Sequence, residues 1–112
     1  MMPDLPLEID CETVYARLTA ADGLVLLDCR ESDEYATAKI NTARLVPMSQ
    51  LEQLVGELEH LRDAEIAIHC HHGGRSLRVA RWLREQGFAK AQSMACGIDR
   101  WSQTIDPTVP RY

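Results

Sequence analysis

His69-Cys70-His71-His72-Gly73-Gly74-Arg75-Ser76 places a thiol where the apolar run Glu65-Ile66-Ala67-Ile68-His69 gives way to paired glycines. The run before it reads as a strand over 65–69 that delivers Cys70 to its C-terminal end. From about Ser76 the period changes. Val79, Ala80 and Leu83 recur at helical spacing until Gly87 stops the pattern. A strand, a short glycine loop and a helix in succession form the repeating unit of a parallel α/β sheet.

Working outward, Leu24-Val25-Leu26-Leu27 is apolar on both faces, as an inner strand covered by helices on both sides must be, and it ends in Asp28-Cys29-Arg30. A short helix is expected from Ser32 and a brief strand over Arg44–Val46. Ser49 and Glu52 have the spacing of a capping box, with Leu51, Leu54, Val55 and Leu58 as the apolar face of the helix that follows. At the N-terminal end Leu5, Leu7 and Ile9 alternate as in an edge strand that tolerates Pro6. Asp10 then caps a helix bearing Val14 and Leu18, and Gly23 ends the turn after it. A last strand is expected over about 91–94. After Trp101 the tail Asp106-Pro107-Thr108-Val109-Pro110-Arg111-Tyr112 reads as extended chain packed back on the domain. Such sheets bind ligands outside the carboxyl ends of their strands. Cys29, Cys70 and Cys96 all follow strands and are expected at that edge.

The bulk numbers bound the answer. A chain of 112 residues, 46% hydrophobic and 26% charged, suits one compact domain over 1–112, with a core of about 10–106. A net charge of -5 gives no general field for nucleic acid or an anionic membrane, so an anion site must be local. No apolar run approaches a membrane span, and Met1-Met2-Pro3-Asp4-Leu5 lacks the organisation of a signal peptide, so a soluble cytoplasmic protein is expected. The four cysteines (Cys11, Cys29, Cys70, Cys96) are then expected as free thiols, and no C-x-x-C motif supports a zinc ribbon.

The loop after Cys70 has the chemistry of an anion cradle. Two glycines let the backbone curl so that N–H groups turn inward, and the first turn of the following helix adds its partial positive charge. A free cysteine of pKa ~8.5 is only about 3% thiolate at pH 7, whereas a pKa of ~6.5 gives roughly three quarters, for about 2.7 kcal/mol of differential interaction. Cys70 is therefore the candidate nucleophile. His71, His72, Gly73, Gly74, Arg75 and Ser76 are the candidate substrate-binding residues, with backbone N–H groups of the loop holding the anion and Arg75 free to pair with an anionic donor.

Cys70-His71-His72-Gly73-Gly74-Arg75-Ser76 resembles the active-site loop of the rhodanese-like sulfurtransferases, and the resemblance runs over nearly the whole chain. Leu26-Leu27-Asp28-Cys29-Arg30 with Glu34-Tyr35 is similar to an early segment of that family. Trp82-Leu83-Arg84-Glu85-Gln86-Gly87-Phe88 and Gly97-Ile98-Asp99-Arg100-Trp101 are similar to later ones. The resemblance implies a parallel five-stranded sheet with helices on both faces and a cysteine that alternates between thiol and persulfide. It also implies a small anionic sulfur donor such as thiosulfate, a nucleophilic acceptor (cyanide, a thiol or a protein), and no metal or organic cofactor. Four residues separate Cys70 from Arg75, whereas phosphatases and arsenate reductases of similar fold have one more. The sequence departs from the family at Ala38-Lys39-Ile40, at Cys29 in place of a common valine, and at Cys96-Gly97. Cys96, by its strand-end position, is a candidate resolving thiol for Cys70.

Bland readings stand beside these. Adjacent His69, Cys70, His71 and His72 rarely converge on one metal ion. Asp28 and Arg30 are read as a mutual salt bridge shaping the sheet edge. Arg78, Arg81 and Arg84 are read as a solvated helix face, and Trp82 and Trp101 as packing residues, too few and scattered for base stacking. A non-catalytic binding or redox-sensing module is the alternative to an enzyme.

Overall fold

The computed structural model describes residues 5–112. In chain order it contains β1 (Glu8–Ile9), α1 (Cys11–Ala20), β2 (Val25–Asp28), α2 (Ser32–Thr37), β3 (Arg44–Leu45), α3 (Leu51–Leu54), β4 (Ile66–His69), α4 (Gly74–Glu85), β5 (Ala91–Met94) and α5 (Gly97–Thr104). The strands form one parallel sheet in the order β1-β5-β4-β2-β3.

Because strand side chains alternate, each strand feeds both faces. On one face Leu27, Cys29, Ile66, Ile68, Cys70 and Ala91 pack with Leu51, Leu58, Val79, Ala80 and Leu83. On the other, Leu24, Leu26, Ala67 and Met94 meet Val14 of α1, Ile98 and Trp101 of α5, and Val109 of the tail. Helices thus cover both faces, as the two-sided apolar pattern of β2 and β4 requires. No helix among the described residues is long and apolar enough to cross a membrane.

Asp10 caps α1 as expected, accepting the Thr13 N–H at 2.6 Å. The helix expected to start from a Ser49/Glu52 capping box differs. Only Leu51–Leu54 is α-helical, between 3-10 segments at Met48–Gln50 and Val55–Leu61. Ser49 is not free to cap, since its N–H and hydroxyl both donate to the Glu31 carboxylate. Helix α4 begins at Gly74, two residues before the expected start, which moves Arg75 and Ser76 into its first turn. Arg84 is no part of a solvated row: its guanidinium donates to the carbonyls of Ala91, Leu5 and Pro6, tying β1 and β5 to α4.

The expectation of four free thiols is overturned by a disulfide between Cys11 and Cys96. Its origin lies in the register. Ile9 is paired with Met94, so the residues two places further along each chain, Cys11 and Cys96, emerge side by side on the α1 and α5 face. Cys96 therefore turns away from Cys70, which packs on the opposite face, and it is not the resolving thiol for that residue. Cys29 and Cys70 remain free.

Candidate active site

Cys70 follows the last residue of β4, at the carboxyl edge of the sheet, and is 1% exposed. The chain turns at Gly73, whose φ of 107° lies in the left-handed region. A Cβ there would stand 2.5 Å from the Ala95 carbonyl oxygen, so glycine is required for both conformation and space. The turn brings two N–H donors to the Cys70 sulfur, Gly73 at 3.0 Å and Ser76 at 3.4 Å, and places the Ser76 hydroxyl 3.5 Å from it. The Ser76 hydroxyl also contacts the Gly73 carbonyl and Ser93.

The outside of the loop is pinned by α5. The N–H groups of Ile98 and Asp99 donate to the carbonyls of Cys70 and His71, which leaves the inner N–H groups facing the sulfur. Gly97, at φ 67°, allows this approach, because a Cβ would lie 2.2 Å from the His71 carbonyl oxygen.

These contacts set the electrostatics. Hydrogen bonding from the Cys29 thiol, opposed by burial and assisted by Ser76 and Gly73, holds the Cys70 pKa well below its ordinary value. The partner thiol moves the other way: hydrogen bonding to Cys70, then burial, pushes Cys29 up. The opposite directions of the two shifts favour the negative charge on Cys70 over Cys29.

The sequence-derived site residues divide into two groups. Gly73 and Ser76 touch the sulfur, whereas the N–H groups of His71 and His72 are not among its donors. The His71 ring lies 4.0 Å from that of His72 and stacks at 4.2 Å on Tyr112. Exposed His72 comes within 4.0 Å of Asp99. Gly74 is the first residue of α4, with open space around the position of a Cβ.

Arg75 departs from expectation. Rather than standing free for an anion, its guanidinium makes a two-pronged pair with Glu34, at 2.7 and 2.9 Å. Glu34 is held down to about 2 by Arg75 first, with further hydrogen bonds from the Glu31 N–H and the Tyr112 hydroxyl. Arg30 donates to that same hydroxyl at 3.0 Å. In the sequence Glu34 stands only within a family-like segment, and no spacing marks it as the partner of Arg75. Tyr112 carried no sequence signal beyond a tail expected to fold back.

Beneath this layer, Asp28 and Arg30 form the expected salt bridge, fully buried, at 2.6 Å. Two Arg30 nitrogens and the Arg30 N–H all donate to the Asp28 carboxylate, and the guanidinium also donates to the Ala38 carbonyl. His69, buried beside Asp28 at 3.6 Å, is kept neutral by desolvation.

Comparisons with known proteins agree with this architecture. A family model described as a rhodanese-like domain matches residues 10–104. The chain is 34% identical over 93 residues to the adenylyltransferase and sulfurtransferase MOCS3-2 of Zea mays; the match covers 79% of this chain but only 19% of that protein. It is 29% identical to a sulfurtransferase of Allochromatium vinosum, with 91% of this chain and 94% of that one covered. A rhodanese-related protein from Thermoplasma volcanium superposes with a TM-score of 0.80 at 26% identity, over 96% of this chain and all of the other.

Proposed function

Since the chain belongs to the rhodanese-like domain family, we propose that it is a sulfurtransferase in which Cys70 accepts a sulfane sulfur from an anionic donor and passes it to a nucleophile. The observation that carries this reading is the Cys70 sulfur at the focus of the Gly73 and Ser76 N–H groups, a cradle suited to a sulfur anion. With thiosulfate as donor, the thiolate attacks the outer sulfur, a new S–S bond forms, and sulfite leaves with the electron pair of the old one. The persulfide carries its charge on the terminal sulfur, which the same loop dipoles stabilise. Cyanide, a thiol or an acceptor protein then attacks that terminal sulfur, and Cys70 departs as the thiolate it began as.

In this scheme Cys70 is catalytic and the loop residues His71 to Ser76 bind the donor. Arg75 acts through the Glu34 pair, fixing the first turn of α4 while keeping a cation beside the sulfur. His71 and His72 border the entrance. The core of about 10–106 is the transferring unit, no cofactor takes part, and a protein donor or acceptor docks at the sheet's carboxyl edge.

The test is steady-state release of thiocyanate from thiosulfate and cyanide. Wild-type protein should turn over, and Cys70→Ser should fall to the uncatalysed rate. Equal rates for the two proteins would remove Cys70 from the reaction. If neither protein turns over and no persulfide donor loads Cys70, the chain is a binding or redox-sensing module instead.

A further inference from the structure

Cys29 is the one other free thiol, and the fold sets it against Cys70. Asp28 is paired with His69 in parallel register, and the Cys29 N–H continues the ladder by donating to the His69 carbonyl at 3.0 Å. Cys29 and Cys70 are therefore directly opposed on neighbouring strands, both 1% exposed and within the same apolar cluster. Neighbouring strands lie about 4.8 Å apart, inside the roughly 4.4–6.8 Å Cα separation that a disulfide accepts. Side chains of opposed residues in parallel strands point to the same face, and here both thiols sit in one buried cluster. The loop amides reach that sulfur from one direction and Cys29 reaches it from the β2 side.

Resting on the persulfide reading above, we propose that Cys29 is a second reacting residue, which attacks the Cys70 persulfide and releases the bound sulfur as hydrosulfide. The bond that forms joins Cys29 Sγ to Cys70 Sγ. The bond that breaks is the one between Cys70 Sγ and the terminal sulfur, which leaves with the electron pair and takes up the Cys29 proton. Cys70–S–S⁻ and Cys29–SH thus become a Cys29–Cys70 disulfide and HS⁻, with no outside oxidant. The persulfide is the oxidant. Two molecules of a low-molecular-weight thiol then reopen the disulfide, so that thiosulfate and two thiols yield sulfite, hydrogen sulfide and a disulfide.

The resting state guards against premature reaction. While Cys70 is a thiolate, its charge beside Cys29 disfavours a second thiolate there and keeps Cys29 protonated. Once loaded, Cys70 carries its charge one atom further out, on the terminal sulfur, and Cys29 loses its anionic partner. The loaded state is thus the state in which Cys29 becomes nucleophilic, and its target is the inner persulfide sulfur on the opposed residue.

The experiment is a single turnover without acceptor. Reduced, desalted wild type, Cys29→Val and Cys29→Ser are each mixed with thiosulfate and followed by intact mass, peptide mapping and sulfide release. Valine retains the volume and apolar character of the site, and serine retains a donor to Cys70 but cannot form a disulfide. Both variants should gain one sulfur atom at Cys70 and hold it, the valine variant loading more slowly because it lacks a donor beside Cys70. Wild type should lose it at least about tenfold faster, given the advantage of oriented groups, with a Cys29–Cys70 linked peptide and one equivalent of sulfide. Loading followed by equal persulfide lifetimes in all three, without the linked peptide, overturns the role of Cys29 and leaves the persulfide reading standing. Absence of loading in all three overturns both.

Discussion

Alanine at Gly73 and alanine at Gly74, made separately, should have opposite effects although the two residues are neighbours in the sequence. At Gly73 a side chain must adopt φ near 107°, which costs about 1–2 kcal/mol for an L-residue. Its Cβ would also stand 2.5 Å from the backbone oxygen of Ala95, and relieving that contact by moving β5 against the loop costs a further 1–3 kcal/mol or so. The total of about 2–5 kcal/mol is a large share of the 5–15 kcal/mol typical of a folded domain. Gly74 opens α4 with nothing within 4 Å of a Cβ position, so alanine there should be neutral or stabilising by about 0.5–1 kcal/mol. Urea unfolding followed by circular dichroism reads both. The Gly73→Ala loop should also release the Gly73 N–H from the sulfur and move the onset of Cys70 alkylation to higher pH. Equal midpoints for the two variants, or a less stable Gly74→Ala, would refute this account of the loop.

Other perturbations have equally definite outcomes. Asp28→Asn leaves a fully buried guanidinium without its counter-charge and should cost about 3–5 kcal/mol in urea unfolding; a loss under about 1 kcal/mol would show that Arg30 is satisfied by carbonyls alone. Glu34→Gln should cost about 1–2 kcal/mol at pH 7, reduced from the full shift by solvent screening. Because the Glu34 carboxyl falls from its ordinary value of 4.5 to about 2 on folding, its contribution is complete above the ordinary value and is lost as pH falls toward 2. The stability gap between wild type and Glu34→Gln should therefore close over that range, and a gap independent of pH would contradict the pairing. The Cys70 thiol is likewise depressed on folding, so its alkylation by iodoacetamide should be nearly flat between pH 6 and 8, where an ordinary cysteine gains about tenfold per pH unit. A tenfold rise per unit would mean that the loop does not hold a thiolate.

The sheet was legible because β2 and β4 are apolar on both faces and end in marked turns, and because the period changes sharply after Cys70. The position of Cys70 followed from the same signals. What escaped were relations between distant segments. The Cys11–Cys96 disulfide depends on β1 pairing with β5 rather than with β2, and strand order is not written in local pattern. Glu34 meets Arg75 across 41 residues, so an arginine read as a free anion receptor is in fact paired. The Ser49 capping box had correct spacing but lost its serine to Glu31, a tertiary contact that local capping rules do not see. Helix α5, whose first N–H groups pin the Cys70 loop, is not marked in the sequence, because it opens on Gly97, a poor helix former whose positive φ here starts the helix.

The central claim is that Cys70 carries the transferred sulfur, and the most direct measurement is the intact mass of the chain after incubation with thiosulfate, for wild type and Cys70→Ser, with cyanide added afterwards. A gain of one sulfur atom, mapped to the peptide containing Cys70, absent from Cys70→Ser and removed by cyanide with release of thiocyanate, is the predicted result. To keep conversion to a disulfide from masking the adduct, Cys29→Ser is carried through the same protocol. No gain in Cys29→Ser together with none in wild type, or an equal gain in Cys70→Ser, would contradict the claim.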